Sequence, residues 1–151
     1  MNTPTYIENE QWLQVERLPT GDRKLLRDLP MRQIESEPQP YTVEEGFETD
    51  FSSIPAIGRL LFRFSEVDIA GVVHDWQYRE VFNKSGRDYP WNLIPFIGSQ
   101  KKAYKDRYHS DNVWYLVAVS GKHHARTISA WLGWIALRGF GWAAWNNSQV
   151  K

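Results

Sequence analysis

The densest group of reactive side chains is His74-Asp75-Trp76-Gln77-Tyr78. On a helix His74 and Tyr78 stand four apart, and Asp75 and Tyr78 three apart. All three can therefore turn toward one side. Their neighbours Val72, Val73 and Trp76 are apolar, which puts the trio at the edge of a buried face. A histidine beside a carboxylate can serve as a general base, and the carboxylate can instead hold a divalent metal. The alternative is a hydrogen-bonded trio that only orders the core.

Two further acidic positions bear on that choice. Thr49-Asp50-Phe51-Ser52-Ser53-Ile54-Pro55 follows Gly46 in a tight polar loop. Asp50 can accept backbone N–H groups of its own turn. It can instead reach the His74 helix as a metal ligand or as an orienter of the imidazole. Asp111 falls on a stripe with Tyr104, Tyr108, Tyr115 and Val119, at spacings of three and four. A carboxylate buried in such a stripe needs a partner. His74 can supply it if the two helices pack antiparallel. His109 and Asp111, two apart, point in different directions and are not expected to share a metal. His123-His124 reads as a solvated turn. The run Gln100 to Arg107, with Lys101, Lys102 and Lys105, reads as a solvated basic face; contact with anionic lipid, DNA or an acidic partner is the alternative. The sequence has no serine nucleophile elbow and no phosphate-binding glycine loop.

The elements that must position these residues fall into two parts. The chain has 151 residues, which suits a single domain over 1–151. Up to residue 45 it offers short extended stretches: Gln11 to Leu18, Arg23 to Ile34 with Pro30 inside, and Tyr41 to Val43 leading into Gly46-Phe47. Residues 1–40 can be peripheral strands or an arm onto a neighbour. From Ser65 the periodicity is helical. One helix is expected from about Glu66 to Val81, a second from Ser99 to Val119, and a third from His123 to just before Asn146. The apolar loop Asn83 to Gly98 should pack on the core or on a partner. The expected fold is α+β: a small irregular antiparallel sheet in the N-terminal part, packed on about three helices.

Eighteen Lys and Arg balance eighteen Asp and Glu. Zero net charge argues against a dedicated nucleic-acid binder. The absence of cysteine excludes disulfides, thiolate zinc sites and a Cys nucleophile. Met1 to Glu10 is polar, so no signal peptide is expected. From Thr127 to Trp145 the only charge is Arg138 among four Trp. A central Arg costs about 2.5–3.5 kcal/mol on insertion scales, which argues against a transmembrane span. A buried or half-buried helix is expected there, with an interfacial amphipathic helix as the alternative.

The sequence resembles the phage and prophage family catalogued as domain of unknown function 1353. The likeness is carried by Gly46-Phe47-Glu48-Thr49-Asp50-Phe51-Ser52-Ser53-Ile54-Pro55, by His74-Asp75-Trp76-Gln77-Tyr78, and by Ser110-Asp111, where the family has Ala-Asp. It covers about residues 43–141, including the aromatic helix around Trp131 to Gly141. The connection from Tyr78 to Asp111 is longer than the family's usual one. The resemblance implies a phage or prophage origin and no established activity. The His-Asp-x-x-Tyr motif with a later Asp also resembles phospholipases A2. By that likeness His74 would be the base, Asp75 a calcium ligand, and Tyr78 and Asp111 orienters. The disulfides and the glycine-rich calcium loop typical of that group are absent.

Two functions are thus expected, the first ahead of the second, which is its alternative. One is a virion or tail component, in the phage particle or the infected host cytoplasm, with other phage structural proteins as partners. The other is a small metal-assisted hydrolase of the bacterial envelope, acting on phospholipid or peptidoglycan. There His74, Asp75, Tyr78 and Asp111 are catalytic, with Asp50 and Asp75 on calcium or zinc. The hydrolase predicts that these groups converge in a solvent-reachable cleft with one nitrogen of His74 free.

Overall fold

The computed structural model describes residues 13–30, 42–49, 64–82, 84–87, 98–119 and 126–149. Among these residues, five short strands precede the helices: β1 (Val15–Arg17), β2 (Arg23–Leu25), β3 (Leu29–Pro30), β4 (Thr42–Val43) and β5 (Glu48–Thr49). They form two antiparallel sheets, β1-β2-β5 and β3-β4. The register pairs Val15 with Leu25, Arg23 with Thr49, and Leu29 with Val43. Leu25, Leu29, Val43 and Thr49 point inward and are buried. Residues 13–30 are thereby tied into the core. Between β4 and β5 the chain turns at Gly46, whose φ of 86° suits glycine. The Gly46 N–H donates to the Leu25 carbonyl at 2.9 Å, and the Leu25 N–H to Phe47 at 2.9 Å, so β5 is held along β2.

Among the described residues the helices are α1 (Phe64–Trp76), α2 (Gly98–Ala118), α3 (Thr127–Phe140) and α4 (Trp142–Ser148). α1 is extended by a π-helical turn, Gln77–Val81, closed by Phe82 N–H on the Gln77 carbonyl at 2.9 Å. α1 starts two residues before Glu66, and the helical run ends at Val81, as expected. The third expected helix is two. At Gly141 a Cβ would lie 2.5 Å from the Leu137 carbonyl oxygen and 3.4 Å from the Tyr78 hydroxyl. The backbone there is drawn in too tightly for a side chain. Gly141→Ala is therefore expected to destabilise by about 1–3 kcal/mol, read as a lowered denaturant midpoint. An unchanged midpoint would mean that the α3–α4 corner relaxes freely.

The core sits where α1 and α2 meet the strands and α3. Val72, Val73, Val113, Trp114, Val117, Ala130 and Leu137 join Leu25, Leu29 and Val43 in one buried cluster. On α2 the buried positions are 103, 107, 110, 111, 113, 114, 117 and 118, close to helical spacing. The middle of that inward face is polar: Arg107, Ser110 and Asp111 are buried among Ala103, Trp114 and Ala118. α3 turns the small residues Ala130, Gly133 and Ala136 inward, with Leu137. Small side chains let the backbones of α2 and α3 approach closely. No helix of the described residues is long and apolar enough to cross a membrane.

Candidate functional site

Asp111 is fully buried and gathers side chains from three directions. Its Oδ1 is 2.8 Å from His74 Nε2 and accepts the Tyr78 hydroxyl at 2.8 Å. Its Oδ2 accepts Arg138 Nη1 at 2.8 Å and lies 3.7 Å from Arg107 Nη1. Arg107 also donates to the carbonyls of Leu137 at 3.0 Å and Arg138 at 3.2 Å. It thus fastens the last turn of α3, adding to the Gly141 N–H that the Leu137 carbonyl already accepts at 2.8 Å, and it holds Arg138 in position. Beside the cluster, Ser110 donates to Gln77 Oε1 at 2.9 Å. Ser85 pairs with Asp106 further along α2. As the numbers rise from His74 to Ser85, their partners fall from Asp111 to Asp106. α1 and its π turn therefore run antiparallel to α2, as the sequence requires if His74 is to reach Asp111.

Burial raises the Asp111 pKa, but the His74 hydrogen bond and the charges of His74, Arg107 and Arg138 outweigh it. The carboxyl is held below its ordinary range. An ionised Asp111 can only accept, so the hydrogen at His74 Nε2 must be the donor. The other ring nitrogen, Nδ1, has no hydrogen-bond partner in the structure. Burial, followed by the negative charge of Asp111, pushes the Tyr78 hydroxyl well above its ordinary range. Tyr78 therefore stays a protonated donor.

The expected site residues divide. His74, Tyr78 and Asp111 form one cluster. Asp75 points elsewhere and accepts the Thr49 hydroxyl of β5. Asp50, His123 and His124 lie outside the described residues, as does most of the apolar loop, 88–97. Of the two expected metal ligands, Asp50 lies outside the described residues; among the described residues, no three His, Asp or Glu side chains are grouped to hold an ion. A hard cation needs several oxygen ligands. The cluster is also closed to solvent. A cleft of about 350 Å³ is lined by Thr42, Glu44, Glu45, Phe47, Trp76 and Glu80. None of these belongs to the Asp111 cluster, and His74 and Asp111 are both 0% exposed. Both are sealed in the interior, with the Arg107 and Arg138 guanidinium groups packed beside Asp111.

Two members of the cluster are not evident from the motifs. Arg107 belongs to a run expected to be solvated; Lys102 and Lys105 are exposed, but Arg107 is wholly buried. Its position four residues before Asp111 is the available signal. Arg138 is the lone charge of an apolar helix, and a lone buried charge must find a counter-ion. His109 faces the Phe82 ring at 6.0 Å and takes no part.

A family model described as "Protein of unknown function (DUF1353)" matches residues 24–137. The chain belongs to this family. The match begins in β2, upstream of the loop motif, and it includes His74, Asp75, Tyr78, Arg107 and Asp111 while ending just before Arg138. No curated protein and no solved structure matches the chain.

Proposed function

We propose that this DUF1353 protein is a phage-derived hydrolase of the bacterial envelope, with His74 as the general base. The observation that carries it is the polarity of the His74 ring: Nε2 is committed to Asp111, and Nδ1 has no partner. Asp111 fixes the tautomer and stabilises the imidazolium that forms when Nδ1 takes a proton from water. Tyr78 shares Oδ1 and sets the angle of the carboxylate. The protonated ring then returns its proton to the leaving group. Because the ring is sealed, turnover requires α3 to yield locally and admit water. Asp75, joined by Asp50, remains the proposed calcium or zinc ligand, and no step is routed through it.

The experiment is hydrolysis of phospholipid vesicles and of peptidoglycan by wild type and His74→Gln. Glutamine can still donate to Asp111, so the fold should survive while the rate falls about 10²–10⁴-fold. Wild type inactive on both substrates would sink the proposal. Calorimetry with calcium, magnesium and zinc on wild type and Asp75→Asn settles the metal. Binding lost in the variant assigns it to Asp75. No binding, with stability lowered by about 1–3 kcal/mol, makes Asp75 a structural partner of Thr49.

A second proposal is favoured by the saturation of Asp111. Four side chains converge on one buried carboxylate and tie α1, α2 and α3 together. That is how a brace is built in a virion or tail component with no chemistry of its own. Detection of the chain in purified particles, with His74→Gln particles fully infectious, would support this role over the hydrolase.

A further inference from the structure

The turn Lys84-Ser85-Gly86-Arg87 holds an oxygen supplied by a distant side chain. The N–H groups of Ser85 and Gly86 converge on Gln149 Oε1, at 3.0 and 3.2 Å. The Ser85 N–H is shared with the Phe82 carbonyl at 3.1 Å. Gly86 has a φ of 92°, the left-handed conformation with which successive N–H groups build a concave cradle for anions. Among the described residues no atom lies within 4 Å of where a Gly86 Cβ would stand, so the turn is open on that side. Gln149 is half-buried and directly follows α4, so its side chain can swing out with the helix intact. Its amide oxygen is neutral. An anion in its place would make charge-assisted hydrogen bonds, which are roughly twice as strong.

The charges beside the cradle have the matching sign. Lys84 and Arg87 flank it and are exposed, and among the described residues neither makes an ion pair or a side-chain hydrogen bond. On α2, Lys102 Nζ donates to the Ser85 hydroxyl at 2.8 Å and to Asp106 at 2.7 Å, and the hydroxyl itself donates to Asp106. Lys102 and Asp106 therefore neutralise each other, and the two flanking cations are left over. Asp88, the next acid in the chain, lies outside the described residues. Two uncompensated cations suit a phosphate group better than a carboxylate, which carries a single charge.

We propose that the Ser85–Gly86 turn is a phosphate-binding site that Gln149 fills in the resting protein. One phosphate oxygen replaces Gln149 Oε1 on the two N–H groups, and Lys84 and Arg87 balance the charge. The Ser85 hydroxyl stays with Asp106. Binding releases the polar anchor of α4 and leaves Trp145, whose indole N–H donates to the Gly86 carbonyl, as its remaining hold on the turn. The site stands apart from catalysis by His74.

The test is titration of the full chain with inorganic phosphate and with the soluble lipid dihexanoylphosphatidylglycerol, followed by NMR of the Ser85 and Gly86 amides. Saturable shifts of these two amides are expected, weakened by salt. Saturation by inorganic phosphate assigns the site to free phosphate and saturation by the lipid to an esterified one; either supports it. Gln149→Ala removes the internal competitor and should tighten binding by about tenfold, since its amide oxygen no longer has to be displaced from two hydrogen bonds. Gln149→Glu supplies an internal carboxylate and should weaken binding instead. Lys84→Glu/Arg87→Glu changes exposed residues, so it should keep its fold by circular dichroism and weaken binding by about tenfold or more. Amides that neither probe shifts overturn the proposal. Binding that the double variant leaves intact means an adventitious ion only and equally overturns it. Equal affinity in wild type, Gln149→Ala and Gln149→Glu would show that Gln149 does not fill the site, with the same result.

Discussion

Asp111→Ala is expected to cost about 3–5 kcal/mol of folding stability, the range for removing one partner of a buried charge pair. The loss comes from what remains. Arg107 stays wholly buried beside α3 without its nearest carboxylate, and Arg138 and Tyr78 lose a common acceptor. Asp111→Asn keeps the shape and removes the charge, so its cost should fall below that of Ala. The pH dependence carries the same signature. The folded pKa of Asp111 is lowered, so its contribution is fully present above the unfolded value of about 3.9 and disappears as pH falls through the folded value. Wild type should lose melting temperature below about pH 4, and that part of the acid dependence should be missing in Asp111→Asn. Thermal scans between neutral and acid pH measure both. A cost under 1 kcal/mol for Asp111→Ala would show that the arginines find other partners at little expense.

Trp145→Ala is expected to be similarly severe, at about 3–5 kcal/mol. Trp145 is fully buried and packs edge-on to Tyr78 with ring centres 4.9 Å apart. Its indole N–H donates to the Gly86 carbonyl at 2.8 Å. Close by, the Ser85 and Gly86 N–H groups both donate to Gln149 Oε1, at 3.0 and 3.2 Å. The indole is thus the apolar half of the attachment of α4, and Gln149 is the polar half. Hydrogen exchange should show α4 opening in Trp145→Ala before the core around Trp114 does. Gln149→Ala should reproduce the opening with a smaller loss of stability. Exchange that stays uniform across both regions would mean that α4 and the core unfold as one unit.

What the sequence reveals depends on how local the determinants are. The motif His74-Asp75-Trp76-Gln77-Tyr78 announces its helix and its buried face, because i,i+4 geometry is local. The pairing of His74 with Asp111 also follows from a carboxylate set in a buried stripe. The division of labour within the motif does not follow, since helical phase alone leaves Asp75 and His74 on overlapping faces. β5 decides it by presenting Thr49 to Asp75. Arg107 and Arg138 are hidden for opposite reasons. Arg107 sits in a basic run, where solvation is the ordinary fate of such residues. Arg138 sits in an apolar helix, where its charge reads only as a cost. The corner at Gly141 depends on a close approach to Leu137 and Tyr78 that no pattern of residue types encodes.

The Asp111 cluster also has a consequence for timing. Its members enter the chain far apart: His74 and Tyr78 first, Arg107 and Asp111 some thirty residues later, Arg138 later still. During synthesis α1 and α2 can pair before α3 has emerged, but Asp111 then lacks Arg138, and Arg107 lacks the α3 carbonyls that it caps. A carboxylate and a guanidinium half-paired in this way resist burial, so the α1–α2 pair should stay loose and hydrated until residue 138 leaves the ribosome. Native structure is then reached in a single late closure, and the Ser85–Gly86 turn captures Gln149 only after it.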